Sequence, residues 1–224
     1  MQLEVVDDYS TLDDPSAVVH QIGHGRVEFV RQPSIVGHVA NFNTSLRRSR
    51  GELVHILHGD DCVAPGFYPA MQHVFEQHPD VGAAFCQHIV IDEDGHWIAL
   101  AEMDLRQSGP IPDWFERIAT GQRLQPPAMV VRRSVYEELG GFDRRIAAYD
   151  EDWEMWVPIS TRHVVLYEPK PLVMYRVRTQ SLSAHTLRTG ANMRDLAKVM
   201  TSFRGMCHTT PDRMWFERPV RPEH

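Results

Sequence analysis

The sequence predicts an α/β protein in which a mostly parallel sheet is flanked by helices. Segments rich in Val, Ile and Leu alternate with segments whose apolar residues recur at helical spacing, which is typical of strands joined by helical crossovers. The apolar run 53–57 lies between Gly51 and Gly59 and suits a strand buried on both faces. At 224 residues the chain is long enough for one sizeable core, so we expect a single domain over 1–208 and a loosely held tail over 209–224.

The first third of the chain supplies strands and helices in turn. Pro15 is an acceptable first helical residue, and Gly23 is a suitable end for the helix that it begins. The predicted elements are a strand at 3–6, a helix at 15–23, a strand at 27–30, a helix at about 37–50, the strand at 53–57 and a helix from 67 to about 78.

The rest of the chain continues this pattern with shorter elements. Ser134 and Glu137 have the spacing of a capping box, and Gly140 with Gly141 would end the helix that they start. The other predicted elements are strands at 81–86 and 88–91, a hairpin turn at 92–95 leading to 97–100, a loop at 103–112, a helix at 113–120, a strand at 128–131, strands at 164–167 and 172–177 divided by Pro169 and Pro171, and a last helix whose apolar face runs from Leu196 to Cys207.

Composition excludes several classes of protein. Charged residues make up 24% and hydrophobic residues 42% of the chain, which is ordinary for a globular protein. The net charge of -7 argues against a general nucleic-acid binder. Three widely spaced cysteines favour neither a disulfide framework nor a zinc site, and no run is long enough to span a membrane. We therefore expect a protein of the cytoplasm, including its boundary with the inner face of the membrane.

Two adjacent carboxylates follow the buried strand at 53–57. Asp60 and Asp61 lie where open α/β sheets place their ligands, at the carboxyl end of a strand. Neighbouring carboxylates resist ionising together unless a cation or hydrogen-bond donors compensate, and a divalent ion that bridges a diphosphate would do so. The alternative is that both residues belong to a loop that caps the helix beginning near Pro65.

Five ordered segments carry a resemblance to a known family. They are VVDDYS at 5–10, GHVANFNTSLRRSRGELVHILHGDD at 37–61, VVRRSVYEELGGFD at 130–143, YDEDWEMW at 149–156 and PLVMYRVRTQSLS at 171–183. In order and spacing they resemble the family 2 glycosyltransferases. The resemblance implies the glycosyltransferase A-type fold, a Rossmann-like sheet that binds a nucleotide-diphosphate sugar and a divalent metal, Mn²⁺ or Mg²⁺.

The resemblance also assigns roles at the donor site. Asp7 and Asp8 follow the first strand, where such enzymes read the nucleobase, and a carboxylate can accept the imide proton of uracil. A helix-capping turn is the alternative for this pair. Asp60 matches the metal ligand of the family's DxD motif. His58 replaces the first aspartate of that motif, where it could bind ribose, bind Mn²⁺ or simply pack, and Asp61 has a supporting or capping role.

The last two segments are matched to the chemical step. Glu151 and Asp152 resemble the ED pair that provides the catalytic base for inversion; we expect Asp152 to be the base, with Glu151 as the exchangeable candidate. Arg176 and Arg178 are assigned to substrate binding. Arg178 stands where many relatives have a metal-binding histidine, and its guanidinium could clamp a diphosphate.

The resemblance therefore predicts an inverting, metal-dependent glycosyltransferase. Its donor would be a nucleotide-diphosphate sugar such as a UDP-sugar, its acceptor a sugar, a lipid-linked group or a protein, and its setting the synthesis of cell-envelope polysaccharide. Relatives open with a strand and helix ahead of VVDD that this chain lacks, so we expect an N-terminally truncated member. The alternatives are a non-catalytic nucleotide-sugar-binding module and, more remotely, a hydrolase that uses the same carboxylates.

Overall fold

The structure is a computed structural model and describes residues 1–146 and 149–207. The strands are β1 (Glu4–Asp7), β2 (Glu28–Arg31), β3 (Leu53–His55), β4 (Cys62–Val63), β5 (Val81–Ile91), β6 (Trp97–Leu100), β7 (Gly109–Pro110), β8 (Met129–Arg132) and β9 (Val164–Arg176). The helices are α1 (Pro15–Gly23), α2 (His38–Arg48), α3 (Phe67–Gln77), α4 (Trp114–Ala119), α5 (Arg133–Leu139), α6 (Glu151–Arg162), α7 (Leu182–Thr189) and α8 (Asn192–Cys207), and a 3-10 turn covers Pro126–Ala128. Within the described ranges, no helix is long and apolar enough to cross a membrane.

The strands form two sheets, and the α/β class is confirmed. β1 and β2 make a parallel two-stranded sheet, and a larger sheet has the order β3-β8-β5-β9-β4, with β6 on the edge of β5 and β7 on β9. β5 and β9 are parallel, whereas the other ladders of the large sheet are antiparallel. The sheet is therefore mixed and not mostly parallel, because β8 lies between β3 and β5 and runs against both.

The core lies between the large sheet and the helices packed on it. β5 is almost entirely buried, as expected for a central strand, with Ala83, Ala84 and Cys86 fully enclosed. α6 buries most of its length, including Val157 and Ile159. α6 packs mainly against α4 and α8, and it also contacts β9.

Several predicted elements are present, and some boundaries are wrong. Asp14 caps α1 by accepting a hydrogen bond from the Ser16 backbone N–H at 3.1 Å. The predicted capping box of Ser134 and Glu137 does not form, because β8 runs directly into α5 and leaves no turn in which a serine could act as the cap. Glu137 instead pairs with Arg133.

The two predicted proline-divided strands are one strand, β9, and the two predicted segments at 81–91 are likewise the single strand β5. The register between β5 and β9 shifts on either side of Gln87, which accommodates Pro169 and Pro171 without ending the pairing. α7 was not predicted. The predicted tail at 209–224 lies outside the described residues.

Candidate active site

The first acidic cluster occupies the turn after β3. The Asp61 backbone N–H donates to the His58 carbonyl at 3.2 Å and closes this turn. The Asp61 side chain is only 1% exposed; its Oδ1 accepts from the Arg176 N–H at 2.8 Å, while its Oδ2 has no hydrogen-bond partner among the described residues. The helix-capping alternative for this pair fails, because α3 begins after Gly66 and receives no side-chain cap.

The donor atoms of this cluster suit a divalent ion. His58, Asp60 and Asp61 each offer a ligand atom, and these atoms all lie within 4.8 Å of one another. Carboxylate oxygens with one imidazole nitrogen are an acceptable set for Mn²⁺, and carboxylates alone for Mg²⁺. Burial raises the pKa of Asp61 to about 7, which is the expected state of a buried carboxyl group with an unpaired oxygen. The residues therefore fit the divalent metal that the resemblance implies.

Two arginines at the end of β9 adjoin this turn. Arg176 donates from Nε to the Asp60 carbonyl at 2.8 Å, and from one terminal nitrogen to the carbonyls of Asp92 and Glu93, both at 2.9 Å. Arg176 thus holds the 58–61 turn against the β5–β6 turn. Its role in substrate binding stays a prediction. Arg178 is half exposed, and its Nε lies 3.6 Å from Asp60 Oδ2.

The second acidic cluster begins α6. Asp152 is buried, and its Oδ1 accepts from the Trp153 backbone N–H at 2.8 Å. The side-chain amide of Gln122 donates to Oδ2. Burial first, and then the charge of Glu151, raise the pKa of Asp152 well above its usual value. Glu151 is better exposed, and its Oε1 lies 3.2 Å from His38 Nε2.

The two acidic clusters face the same side chains. The charges of Asp60 and Glu151 both act on His58, opposing the fall in its pKa that burial causes. Tyr175 experiences the charges of Asp61 and Asp152, which together with burial raise its pKa to about 12. An enclosed cavity of about 10 Å³ is lined by residues that include His58 and Asp152. The turn after β3 and the start of α6 therefore lie next to each other, on either side of this small cavity.

The predicted nucleobase readers, Asp7 and Asp8, are both engaged by the chain. Asp7 is 7% exposed and accepts from Arg31 Nε at 2.7 Å and from Ser10. Burial raises its pKa, but the bonds from Ser10 and Arg31 outweigh that effect and lower it. Asp8 is less buried and accepts from the backbone N–H groups of 36 and 37, at 2.7 and 2.9 Å. Asp8 keeps acceptor capacity, because a carboxylate offers about four lone pairs.

Sequence reasoning did not single out four residues of the site. Gln122 belongs to a loop with no recognisable motif. His38 lies in the segment 37–61 that carries the resemblance, but it was given no role there. Phe42, one turn after His38, stacks on His58 with ring centroids 5.1 Å apart. Tyr175 was visible only as the residue before Arg176. Aromatic and amide side chains of this kind indicate packing in the core, and nothing in the sequence placed them beside the carboxylates.

Known proteins share the family and the fold of this chain. Residues 2–140 match the family described as "Glycosyl transferase family 2". "Uncharacterized protein MT1568" of Mycobacterium tuberculosis (strain CDC 1551 / Oshkosh) is 26% identical over 212 residues, which cover 89% of this chain and 65% of that protein. The S. aureus TarS fragment 1-349 is similar in structure: its complex with UDP has a TM-score of 0.67, at 13% identity over 90% of this chain and 54% of that one.

The same TarS fragment in complex with UDP-GlcNAc has a TM-score of 0.64, at 13% identity over 82% of this chain and 51% of that chain. At such low identity, the similarity to these structures shows the fold alone. The chain spans about half the length of the solved chains that it matches.

Proposed function

Because the chain belongs to glycosyl transferase family 2, we propose that it transfers a sugar from a nucleotide-diphosphate sugar to an acceptor hydroxyl, with inversion at the anomeric carbon. UDP is the proposed nucleotide, in keeping with the UDP and UDP-GlcNAc complexes of TarS. The observation that carries the proposal is that His58 and Asp152 line the same small cavity, which brings the acidic turn after β3 next to the acidic start of α6.

Asp152 is the proposed catalytic base. Inversion requires one carboxylate that takes the proton of the acceptor hydroxyl while the oxygen attacks the anomeric carbon and the bond to the diphosphate breaks. The backbone N–H of Trp153 and the amide of Gln122 hold the Asp152 carboxylate in a fixed orientation. Its raised pKa makes it a stronger base than an exposed aspartate once it is ionised.

Asp60, Asp61 and His58 would hold the divalent ion on the other side of this cavity. When bound, the ion supplies positive charge for the leaving diphosphate. Arg178 lies beside Asp60 and offers a second positive group with a planar set of donors suited to phosphate oxygens. Asp8 is the better candidate for binding the imide N–H of uracil, because Asp7 is buried in a pair with Arg31.

Release of UDP from isotope-labelled UDP-GlcNAc, with and without Mn²⁺, tests this proposal. We expect Mn²⁺-dependent release, and Asp152→Asn should lower its rate by about 10²- to 10⁴-fold without weakening UDP binding. Glu154→Gln is the matched control, since Glu154 is a buried acid of the same helix that accepts from Ser202 at 2.8 Å. Release that is unaffected by Asp152→Asn would contradict the assignment of the base.

The second candidate is a nucleotide-sugar-binding module without turnover. It is favoured by the 3.6 Å approach of Arg178 to Asp60, because an arginine at this position supplies a positive charge to the carboxylate without any metal. Binding of UDP in calorimetry, together with no release of UDP from UDP-GlcNAc in the presence of Mn²⁺, would favour this candidate over the transferase.

A further inference from the structure

We propose that His38 is a positioning residue for the acidic pair at the start of α6: it holds the Glu151 carboxylate to one side, so that Asp152 alone receives the acceptor's proton. The role rests on the proposed function, since it concerns the same chemical step. Separate contacts fix the backbone of His38, its ring and its partner.

The backbone of His38 is fixed by the end of β1. His38 is the first residue of α2, and the two N–H groups before it are bound by the Asp8 carboxylate, from Val36 at 2.7 Å and from Gly37 at 2.9 Å. Gly37 has a φ of 86°, which a residue with a side chain rarely adopts. The start of α2 is thereby held in one place relative to the end of β1.

The ring of His38 is fixed by aromatic contacts along α2. Phe42, one turn later, meets it edge to face, with centroids 5.6 Å apart and planes at 72°. Phe42 is itself held on two sides, because it stacks on His58 at 5.1 Å and packs against Phe142 at 5.6 Å. A ring supported in this way loses little further freedom when it binds a carboxylate.

The polar edge of that ring is directed at Glu151. Nε2 of His38 lies 3.2 Å from Oε1 of Glu151, and the two side chains are 25% and 13% exposed. The oxygens of Asp152 have other partners, Trp153 and Gln122. The two neighbouring carboxylates are therefore held by separate sets of donors, which prevents them from exchanging places.

Charge gives the arrangement a chemical consequence. Two adjacent carboxylates hinder each other's ionisation, and the charge of Glu151 is one cause of the raised pKa of Asp152. A histidine that binds Glu151 draws that charge towards itself and away from Asp152. His38 thus favours Asp152 as the ionised group, without touching the substrate.

Steady-state kinetics of UDP release from UDP-GlcNAc with Mn²⁺ test the proposal. We expect His38→Leu to lower kcat by about 10- to 100-fold with KM for UDP-GlcNAc unchanged, because a displaced base affects the chemical step and not donor binding. His38→Gln should recover most of the rate, since its amide nitrogen can take the place of Nε2. His38→Asn, whose shorter amide does not reach Glu151, should not recover it.

His163→Leu is the matched control. His163 follows the last residue of α6, its Nε2 lies 3.1 Å from Glu138 Oε2, and its side chain is 22% exposed, so the same kind of contact is removed at the opposite end of the helix. Wild-type kinetics are expected for this variant. If His38→Leu does not fold, the kcat values of His38→Gln and His38→Asn still test the positioning role, because both amides are polar and differ only in how far they reach.

Three results would overturn the proposal. The first is an unchanged kcat in both His38→Leu and His38→Asn. The second is a loss that His38→Gln does not recover, which would indicate a packing role. The third is a change confined to KM, which would indicate donor binding. A wild-type protein that releases no UDP would overturn the proposed function itself, and it is distinguished from these results because it is seen before any substitution is made.

Discussion

Asp61 is a carboxyl group whose surroundings favour its neutral form. Its side chain is almost fully buried, one of its oxygens has no hydrogen-bond partner among the described residues, and burial raises its pKa to about 7 in spite of the bond from the Arg176 N–H. A metal ligand must be ionised, so proton release and metal binding are linked at this residue.

Affinity for Mn²⁺ should therefore depend on pH. Between pH 5 and 7 we expect it to rise by up to about tenfold per pH unit and then to level off, because a proton leaves Asp61 for each ion bound. Titration calorimetry at several pH values measures this dependence. Asp61→Asn should bind more weakly and with a flatter profile, and equal wild-type affinity at pH 5.5 and 8 would contradict the prediction.

The same carboxyl group should make the metal-free protein less stable as the pH rises. Unfolded Asp61 releases its proton near its ordinary pKa of 3.8, whereas the folded protein keeps it until about pH 7. Across that window the folded state binds more protons, so the free energy of unfolding falls with increasing pH. Urea unfolding at pH 4.5, 6 and 8 should show a smaller fall for Asp61→Asn than for the wild type.

Gln122 should influence the pKa of the proposed base. Its amide donates to Asp152, and a donor to a carboxylate favours the ionised form. Gln122→Leu should raise the pKa of Asp152 further, so the acidic limb of the pH–rate profile for UDP release moves to higher pH. A profile that falls in height at all pH values without moving would contradict this explanation.

Among the elements, α2 is tied to the loop that leads to α6. Asn43, buried on α2, donates from Nδ2 to the Phe142 carbonyl at 2.9 Å and accepts from the Phe142 N–H, also at 2.9 Å. Gly141 allows this approach, because a Cβ there would lie 2.4 Å from Asn43 Oδ1. The pair of bonds connects the helix that carries His38 with the segment that leads to Glu151.

Asn43→Ala should lower the free energy of unfolding by about 2–4 kcal/mol, because it leaves the N–H and carbonyl of Phe142 without partners in a buried place. Urea unfolding followed by circular dichroism measures the change. Asn41→Ala is a useful comparison, since Asn41 lies half-buried on the same helix and its side chain bonds only one backbone group, the Val6 carbonyl, besides accepting from the Gln32 side chain. If Asn43→Ala lowered the free energy of unfolding by no more than Asn41→Ala, the explanation by two lost hydrogen bonds to Phe142 would be contradicted.

Element boundaries could be predicted where the cause is local. The end of α5 at Gly140 follows from short-range chemistry and is confirmed. The cap of α1 by Asp14 has an equally local cause, although it was not predicted. The predicted capping role of Ser134 was wrong because β8 continues directly into α5. This continuation depends on tertiary packing, which no local sequence pattern indicates. The pairing of Asp152 with Gln122 was equally invisible, since it joins residues 30 positions apart through a loop without periodicity.

In the whole molecule, the small β1–β2 sheet stands apart from the large one. The part of the chain around this small sheet buries little apolar surface, since Leu12, Ile22 and Ile35 are 96%, 69% and 71% exposed. Strand directions, in contrast to strand positions, could not be predicted, because a run of apolar residues is the same whether its neighbour is parallel or antiparallel. The α/β class followed from alternation, whereas the mixed order follows from how β8 inserts between β3 and β5.

Hydrogen exchange should reflect this division. We expect the amides of β1 to exchange faster than those of β5, because few apolar contacts oppose local opening of the small sheet. UDP should slow exchange at residues 36 and 37 if Asp8 binds the base, since those two N–H groups are held by the same carboxylate. Equal protection of β1 and β5 in the free protein would contradict the first expectation.

β9 is a central strand that ends beside the turn after β3. Its ladder with β5 runs from Val164 to Arg176, and its last residues provide Tyr175 and the N–H that binds Asp61. Arg176, the last residue of this strand, therefore cannot be redirected by exchanging a surface loop. A change of donor preference at this position would require substitutions in a central strand of the sheet. Each such substitution would lower the stability of the fold as well as alter selectivity.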